Sequence, residues 1–125
     1  MIGFTKDEDG NYFSGKHLLI DMWGCRKDLD SHFILSACEK AAIATGATVL
    51  FKHSHDFEPA GSSGVVILAE SHVSYHYWQE EGHLAIDIFV CGDCDPLLGL
   101  QELITQFKPE KIVSKLQKRG ITPPN

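Results

Sequence analysis

The hydrophobic residues of this chain recur with two spacings, which predict strands and helices in alternation. Short apolar runs rich in β-branched residues are typical of strands, and apolar residues three to four positions apart are typical of helices. The predicted strands span residues 17–22, 48–52, 65–69, 72–78, 84–90 and 111–116, and the predicted helices span residues 28–45 and 96–107. The first dozen residues and residues 120–125 show neither spacing and are expected to be loose ends.

Consecutive strands joined by short turns favour antiparallel pairing, and the two helices are then expected to pack on one face of the sheet. Gly46 follows the first helical pattern and is a typical C-terminal stop. With 125 residues and 43% hydrophobic content, the chain is long enough for one domain with its own core, and nothing indicates a second domain or a repeat. The predicted fold is therefore α+β, with a mainly antiparallel β-sheet and two helices packed on one face, over residues 1–125.

Polar residues able to do chemistry interrupt the predicted strands between residues 62 and 96. The run 65–69 is entered through Ser62-Ser63-Gly64, which we expect to form a turn, and it stops at Glu70-Ser71-His72. Beyond that stop every second side chain points to one face, and this face has two imidazoles, a hydroxyl and an indole: His72, Ser74, His76 and Trp78. Cys91 follows the run 84–90 and opens a loop. Serine, histidine and cysteine side chains are therefore expected to converge across adjacent strands.

Each of these residues alone has a plainer explanation, because a strand serine usually satisfies a backbone group and a strand histidine usually packs. In combination, their order and spacing resemble the small bacterial and archaeal type of S-adenosylmethionine decarboxylase, a family that makes its own pyruvoyl cofactor. The matching positions are Ser63-Gly64, Glu70-Ser71-His72, His76, Trp78, Glu80, Cys91-Gly92 and Asp95-Pro96. The likeness covers residues 15–116, with further matches at Gly15-Lys16-His17-Leu18, Gly46-Ala47-Thr48, His55 and Phe57. It implies the α/β sandwich of that family.

The resemblance implies self-processing at the bond between Glu70 and Ser71. The Ser71 hydroxyl attacks the carbonyl carbon of Glu70 and converts the peptide into an ester, which requires precise positioning and stabilisation of an oxyanion. In the family pattern Ser63 supplies a donor to that oxyanion, and His76 transfers the proton that lets the ester break. The chain is then divided into residues 1–70 and 71–125, and Ser71 becomes a pyruvoyl group at the start of the second fragment.

The resemblance also assigns the later chemistry. The pyruvoyl ketone derived from Ser71 forms a Schiff base with the substrate amine and accepts electrons as carbon dioxide leaves. Cys91 then protonates the substrate α-carbon. Phe57 stacks on adenine, and Glu80 binds the ribose hydroxyls. The implied function is decarboxylation of S-adenosylmethionine to the aminopropyl donor of polyamine and spermidine synthesis.

The chain departs from the family pattern next to Glu80. The family typically has His-Thr-Trp-Pro-Glu, whereas this chain has His76-Tyr77-Trp78-Gln79-Glu80. Tyr77 replaces a small hydroxyl, and Gln79 frees a backbone that proline would fix. Arginine and ornithine, which some relatives decarboxylate, therefore stay open as alternative substrates. A different class also stays open, since a chain never cut at Ser71 would be a small ligand-binding α+β module.

The net charge and the N-terminal sequence limit the classes of partner and the cellular location that we expect. The net charge of −6 argues against nucleic acid, which needs clustered Lys and Arg, and is compatible with a cationic small-molecule substrate. No apolar stretch approaches the roughly 20 residues of a membrane span, and the N-terminus lacks the pattern of a signal peptide, so we expect a cytoplasmic protein. The resemblance implies a homodimer of cleaved protomers, in which each pocket takes residues from the neighbour.

The four cysteines allow one further interpretation. Cys91-Gly92-Asp93-Cys94 has the CxxC spacing of redox pairs and of half a zinc site. A structural zinc site normally needs a second pair of ligands; His53 with His55, and His72 with His76, have strand spacing. Because the sequence has no second CxxC, no metal is expected. Cys25 and Cys38 are expected to be small buried apolar residues.

Overall fold

The main feature of the computed structural model, which describes residues 4–26 and 29–122, is a six-stranded antiparallel sheet. The elements in chain order are β1 (Thr5–Lys6), β2 (Tyr12–Phe13), β3 (Gly15–Trp23), α1 (Ser31–Ala44), β4 (Val49–Asp56), β5 (Ser62–Leu68), β6 (Ser71–Trp78), β7 (His83–Val90), α2 (Pro96–Phe107) and β8 (Lys111–Arg119). The sheet has the strand order β4-β5-β6-β7-β3-β8, and each neighbouring pair is antiparallel. The predicted α+β fold is confirmed.

Both helices pack on the same face of the sheet and enclose the hydrophobic core. α1 contacts β4, β5 and β6, while α2 contacts β3 and β7. The strand side chains that face the helices are buried, among them Leu18, Ile20, Met22, Val66, Val73, Ile86 and Ile88. Because side chains alternate along a strand, this core fixes which residues of each strand face away from the helices.

Capping residues set the helix ends. Asp30 has an extended backbone and its carboxylate accepts a hydrogen bond from the Phe33 N–H at 2.7 Å, so α1 begins at Ser31. The prediction of a helix from residue 28 was therefore wrong at residues 29 and 30; Asp28 itself lies outside the described residues. Gly46 follows α1 with a φ of 96°, as expected for a C-terminal stop. α2 has the predicted bounds, with Asp95 accepting from the Leu97 N–H.

The predicted turn at Ser62-Ser63-Gly64 was wrong, because these residues begin β5. Gly64 lies directly opposite Tyr75 in the register, and a Cβ there would meet the Tyr75 ring at 2.4 Å. The ring therefore covers the glycine, and its hydroxyl forms a 3.0 Å hydrogen bond with the buried hydroxyl of Ser62. Glycine thus serves a close approach between two strands here rather than a turn.

The chain ends are also more ordered than predicted. β1 pairs with β2, and Tyr12 forms an isolated bridge with Thr122, so the expectation of loose ends was wrong for both described ends. The predicted strands 17–22, 48–52 and 111–116 are each longer in the structure, as β3, β4 and β8. The hydrophobic runs of β4 and β8 stop before their backbone pairing does, because these two are edge strands with mostly exposed residues.

The sheet face opposite the helices, here called the open face, is not covered by any other described element. Polar and titratable side chains occupy its middle, and exposed apolar side chains surround them: Leu19, Phe51, Ile67, Trp78 and Val113. An antiparallel sheet with a solvated face normally presents polar residues there. Among the described residues, no helix is both long enough and apolar enough to cross a membrane.

Candidate active site

The turn between β5 and β6 contains the bond at which the sequence predicts cleavage. Leu68 pairs with Ser71, so Ala69 and Glu70 form a two-residue connection. Glu70 has a φ of 64°, in the left-handed region that glycine or asparagine normally occupies. Such a backbone costs about 1 kcal/mol or more and is often found at functional sites. The carbonyl carbon that Ser71 would attack thus belongs to a strained, exposed residue.

Cys91 lies directly beside this bond. It follows the end of β7, and its Sγ donates a hydrogen bond to the Glu70 carbonyl oxygen at 3.2 Å. Glu70, Ser71 and Cys91 line a cavity of about 240 Å³. The rest of its wall consists of small residues and one further cysteine: Gly46, Ala47, Thr48, Ala69, Gly92 and Cys94. The structure therefore brings together the predicted cleavage site and the predicted proton donor.

The second cysteine of the CxxC sequence is kept in its thiol form. Burial, followed by the nearby Cys91 and Asp93, raises the pKa of Cys94 above its usual value. The thiolate is the nucleophile in thiol exchange, so this environment makes Cys94 a weaker nucleophile than an exposed cysteine. Burial raises the pKa of Cys38, which is fully enclosed in the core, to about 12. Cys25 is half-buried, and its pKa is raised by burial to about 11.

Ser63 and His76 lie opposite each other on β5 and β6, on the open face. His55 is the partner of Ser63 on the other side, so the three side chains form a row across three strands. His76 is five residues along β6 from Ser71, which at a rise of about 3.3 Å per residue is roughly 16 Å. Within one chain, these two residues therefore do not converge with the predicted cleavage bond, contrary to the expectation from the sequence.

Phe57 and Glu80 lie at the same end of the sheet as His76. All three line a cavity of about 280 Å³, together with Tyr77, Trp78 and Gln79. The two residues at which the chain departs from the family pattern, Tyr77 and Gln79, are thus part of this wall. The predicted substrate residues also lie at the opposite end of β6 from Ser71, more than about 20 Å along the strand.

Sequence reasoning missed Asp87, in the middle of β7. Its carboxylate accepts from Nε2 of His17 at 2.6 Å and lies 2.9 Å from Nε2 of His72, while Ser74 donates to its other oxygen. The potential metal-binding atoms of the two histidines and Asp87 lie within 4.8 Å of one another. A carboxylate inside the otherwise apolar run 84–90 was a usable signal. The histidine pair that the sequence suggested, His72 and His76, is separated by roughly 13 Å along one strand, too far to share an ion.

Comparisons with known proteins show the family and the fold of this chain. A family model described as S-adenosylmethionine decarboxylase matches residues 16–120. The S-adenosylmethionine decarboxylase proenzyme of Brevibacillus brevis is 39% identical over 110 residues, which are 86% of this chain and 83% of that protein. The proenzyme of Methanococcus vannielii is 39% identical over 110 residues, covering 86% of this chain and 90% of that one. The crystal structure of the adenosylmethionine decarboxylase from Aquifex aeolicus superimposes with a TM-score of 0.77 at 32% identity, over 87% of this chain and 92% of that chain.

Proposed function

The chain belongs to the S-adenosylmethionine decarboxylase family, and on this premise we propose that it is a proenzyme that cuts itself between Glu70 and Ser71 and then decarboxylates S-adenosylmethionine. The product is the aminopropyl donor of polyamine synthesis. The observation that supports this proposal most strongly is the strained backbone of Glu70, whose carbonyl oxygen accepts a hydrogen bond from the Cys91 thiol.

The cleavage chemistry follows from the residues at the turn. The Ser71 Oγ attacks the Glu70 carbonyl carbon, the C–N bond breaks, and the Ser71 nitrogen takes a proton to become an amine. The Cys91 S–H is placed to stabilise negative charge on the Glu70 oxygen as it forms, at 3.2 Å. A base then removes the Cα proton of residue 71, the ester C–O bond breaks, and Glu70 leaves as a carboxylate. Water replaces the remaining nitrogen, which leaves as ammonia, and a ketone stays on residue 71.

The surroundings of Ser71 fit such a ketone. Ser71 is the first residue of β6, is half-buried, and faces a cavity large enough for the end of a small substrate. The pyruvoyl group supplies an electrophile for the substrate amine and an electron sink for the carboxylate carbon. This chain supplies Cys91, whose thiol is hydrogen-bonded to the Glu70 carbonyl oxygen and is available to protonate the substrate α-carbon.

We propose further that the working enzyme is a homodimer joined through the open face. The residues with predicted roles form two groups at opposite ends of β6. Ser71 and Cys91 lie at one end, and the second group lies at the other end and consists of Ser63, His76, Phe57 and Glu80. Neither group is complete alone. A twofold axis lying across the strands between two open faces would place each group over the other group of the partner.

The composition of the open face supports this dimer. Exposed apolar side chains on the outward side of a sheet are typical of a protein interface rather than of a solvated surface. In the dimer His76 would transfer the processing proton, and Ser63 would donate to the oxyanion, at the partner's cleavage bond. Phe57 and Glu80 would offer an aromatic face and a carboxylate to the adenine and ribose of the substrate bound there.

Release of labelled carbon dioxide tests the proposed substrate. The purified protein is incubated separately with carboxyl-labelled S-adenosylmethionine, arginine and ornithine, and the Ser71→Ala variant is the matched control. We expect release from S-adenosylmethionine alone and none from the variant, which should stay folded and uncut because it lacks the attacking hydroxyl. Release from arginine or ornithine in preference to S-adenosylmethionine would show that the proposed substrate is wrong. Release by Ser71→Ala would refute the pyruvoyl mechanism.

A further inference from the structure

Asp87 is the centre of a hydrogen-bonded cluster on the open face that none of the proposed roles uses. It joins three neighbouring strands, because His17 belongs to β3 and both His72 and Ser74 belong to β6. Its side chain is only 22% exposed. The rings of His17 and His72 both pack on Phe89, with ring centroids 5.4 and 5.8 Å away. The cluster is therefore partly shielded from water as well as hydrogen-bonded.

The protons in this cluster can be assigned. Arg119 has only donors, and its Nη1 lies 3.1 Å from Nδ1 of His17. Nδ1 of His17 must therefore accept, and Nε2 carries the proton that it donates to Asp87. A metal would need the lone pair at that same Nε2, so this arrangement of His17, His72 and Asp87 is complete without an ion. Burial alone would raise the pKa of Asp87, but hydrogen bonds from Ser74, His17 and His72 outweigh it and lower the pKa below its usual value.

The position of His72 gives the cluster its importance. His72 is the residue after Ser71, and the pairing of β6 with β7 begins at His72, opposite Phe89. Before cleavage, the turn through Ala69 and Glu70 holds the start of β6 covalently. After cleavage, residue 71 is a chain end, and chain ends fray unless they are tied down. The hydrogen bonds of Asp87 to the side chains of His72 and Ser74 hold the start of β6 in place. They do not depend on the bond that is broken.

We propose that Asp87 is a positioning residue that fixes the first residues of the second fragment, through His72 and Ser74, once the bond between Glu70 and Ser71 has been cut. This inference rests on the proposed function, since it concerns the strand end that self-cleavage creates. A displacement of a reacting group by about 1 Å can cost on the order of a hundredfold in rate. Asp87 thus acts on the reacting residue 71 only through His72, without touching it.

Backbone hydrogen exchange before and after cleavage tests the proposal. The substitution Asp87→Asn is made both in the self-cleaving chain and in the uncut Ser71→Ala chain. We expect the amides of residues 72–75 to exchange at least about tenfold faster in the cleaved Asp87→Asn protein than in the cleaved parent. In the uncut pair, the same substitution should change exchange by less than about threefold. An equal increase in both pairs, or no increase in either, would overturn the proposal and leave Asp87 a purely structural residue.

The kinetics of the cleaved protein give a second readout. Asp87→Asn should lower kcat at least about tenfold and change KM by less than about threefold, because it disturbs residue 71 and leaves the proposed substrate-binding residues Phe57 and Glu80 unaltered. His72→Gln, which keeps a donor for Asp87, should retain more kcat than His72→Leu, which does not. Equal kcat values for these two variants would overturn the proposal. Should Asp87→Asn fail to fold, His72→Leu replaces it in the exchange comparison.

A matched control lies on the same sheet face. Asp21 and His83 form a similar pair, with the carboxylate 3.0 Å from Nε2, near the other end of β3 and β7. Asp21→Asn should leave the exchange of residues 72–75 and the kcat within about twofold of the parent. A parent chain that is never cut would refute the proposed function and this inference with it. A cut, active parent with unchanged Asp87 variants would refute this inference alone.

Discussion

At the scale of single residues, the contact between Cys91 and the Glu70 carbonyl joins the two predicted steps of the chemistry at one place. The thiol donates to the oxygen of the bond to be cut, and the same thiol is beside residue 71 when that residue becomes the reacting group. Cys94, which lines the same cavity, has its pKa raised by burial and by the neighbouring Cys91 and Asp93 and has no part in this scheme. The two cysteines can therefore be separated by substitution.

Replacing Cys91 by alanine should permit self-cleavage but slow it, because one donor to the oxyanion is lost while the Ser71 nucleophile remains. The kcat of the cleaved Cys91→Ala protein should fall by about a hundredfold or more, the range typical for loss of a general acid. Cys94→Ala is the matched control in the same cavity and should keep cleavage and kcat within about threefold of the parent. Unchanged kinetics for Cys91→Ala would remove Cys91 from the role of proton donor.

The residues at this turn were singled out from the sequence, whereas Asp87 was missed even though its carboxylate interrupts an apolar run. Glu70, Ser71 and Cys91 stand at the ends of hydrophobic runs, where a change of residue type is easy to see. Asp87 lies inside such a run, and its meaning depends on His17, which is 70 positions away in the chain and becomes its neighbour only through the pairing of β3 with β7. Contacts of this kind depend on strand order, which local spacing does not reveal.

At the scale of elements, hydrophobic spacing predicted both helices and all six main-sheet strands that the structure describes, and it failed mainly at their ends. α2 has the predicted bounds because Asp95, Pro96 and the left-handed Lys108 mark both ends. The turn predicted at Ser62-Ser63-Gly64 was wrong. Glycine and serine favour turns locally, but the ring of Tyr75 from the next strand requires an extended glycine there. Tertiary packing overrode local preference at that point.

The packing of α2 against α1 gives a test at this scale. Gly99 is buried in α2, and a Cβ there would meet Ile88 at 2.9 Å, Thr45 at 3.0 Å and the Ala41 carbonyl oxygen at 3.2 Å. Gly99→Val should therefore lower the free energy of unfolding by about 1–3 kcal/mol, the usual cost of overpacking. Urea unfolding of the uncut Ser71→Ala chain measures it without the complication of two fragments.

Leu98 provides the matched control for this substitution. It is the preceding residue of α2 and is exposed, so Leu98→Val introduces the same β-branched side chain into the same helix without crowding the core. That change should lower the free energy of unfolding by no more than about 0.5 kcal/mol, since it alters helix propensity alone. If both variants had the same free energy of unfolding, the close approach of α2 to α1 and β7 at Gly99 would be refuted.

At the scale of the whole molecule, the separation of the two groups of predicted residues is the feature that the sequence could not show. Listed along the chain, Ser63, Ser71 and His76 are near neighbours, and the sequence suggested that they converge. The extended geometry of β6 instead keeps His76 roughly 16 Å from Ser71. The proposed dimer reconciles the family's residue pattern with this geometry, because residues at opposite ends of one sheet meet across a twofold axis.

Mixed dimers test whether His76 acts on the partner chain. Two variants with different tags are produced together: Ser71→Ala, which keeps His76 but cannot be cut, and His76→Ala, which keeps Ser71. Alone, each should stay uncut. Together, they should yield cut fragments from the His76→Ala chain, because the partner supplies the missing imidazole. Cleavage of His76→Ala alone would show that His76 is not needed, and no cleavage in the mixture would show that it acts within its own chain.

Both the proposed self-cleavage and the proposed decarboxylation depend on the bond between Glu70 and Ser71, and the intact mass of the purified parent protein shows whether that bond is broken. Two masses should be found, one for residues 1–70 and one for residues 71–125, and the second should be lighter by one ammonia than a fragment that begins with serine. A single mass equal to that of the unbroken chain, in protein that releases carbon dioxide from S-adenosylmethionine, would refute self-cleavage at Ser71 as the source of the activity.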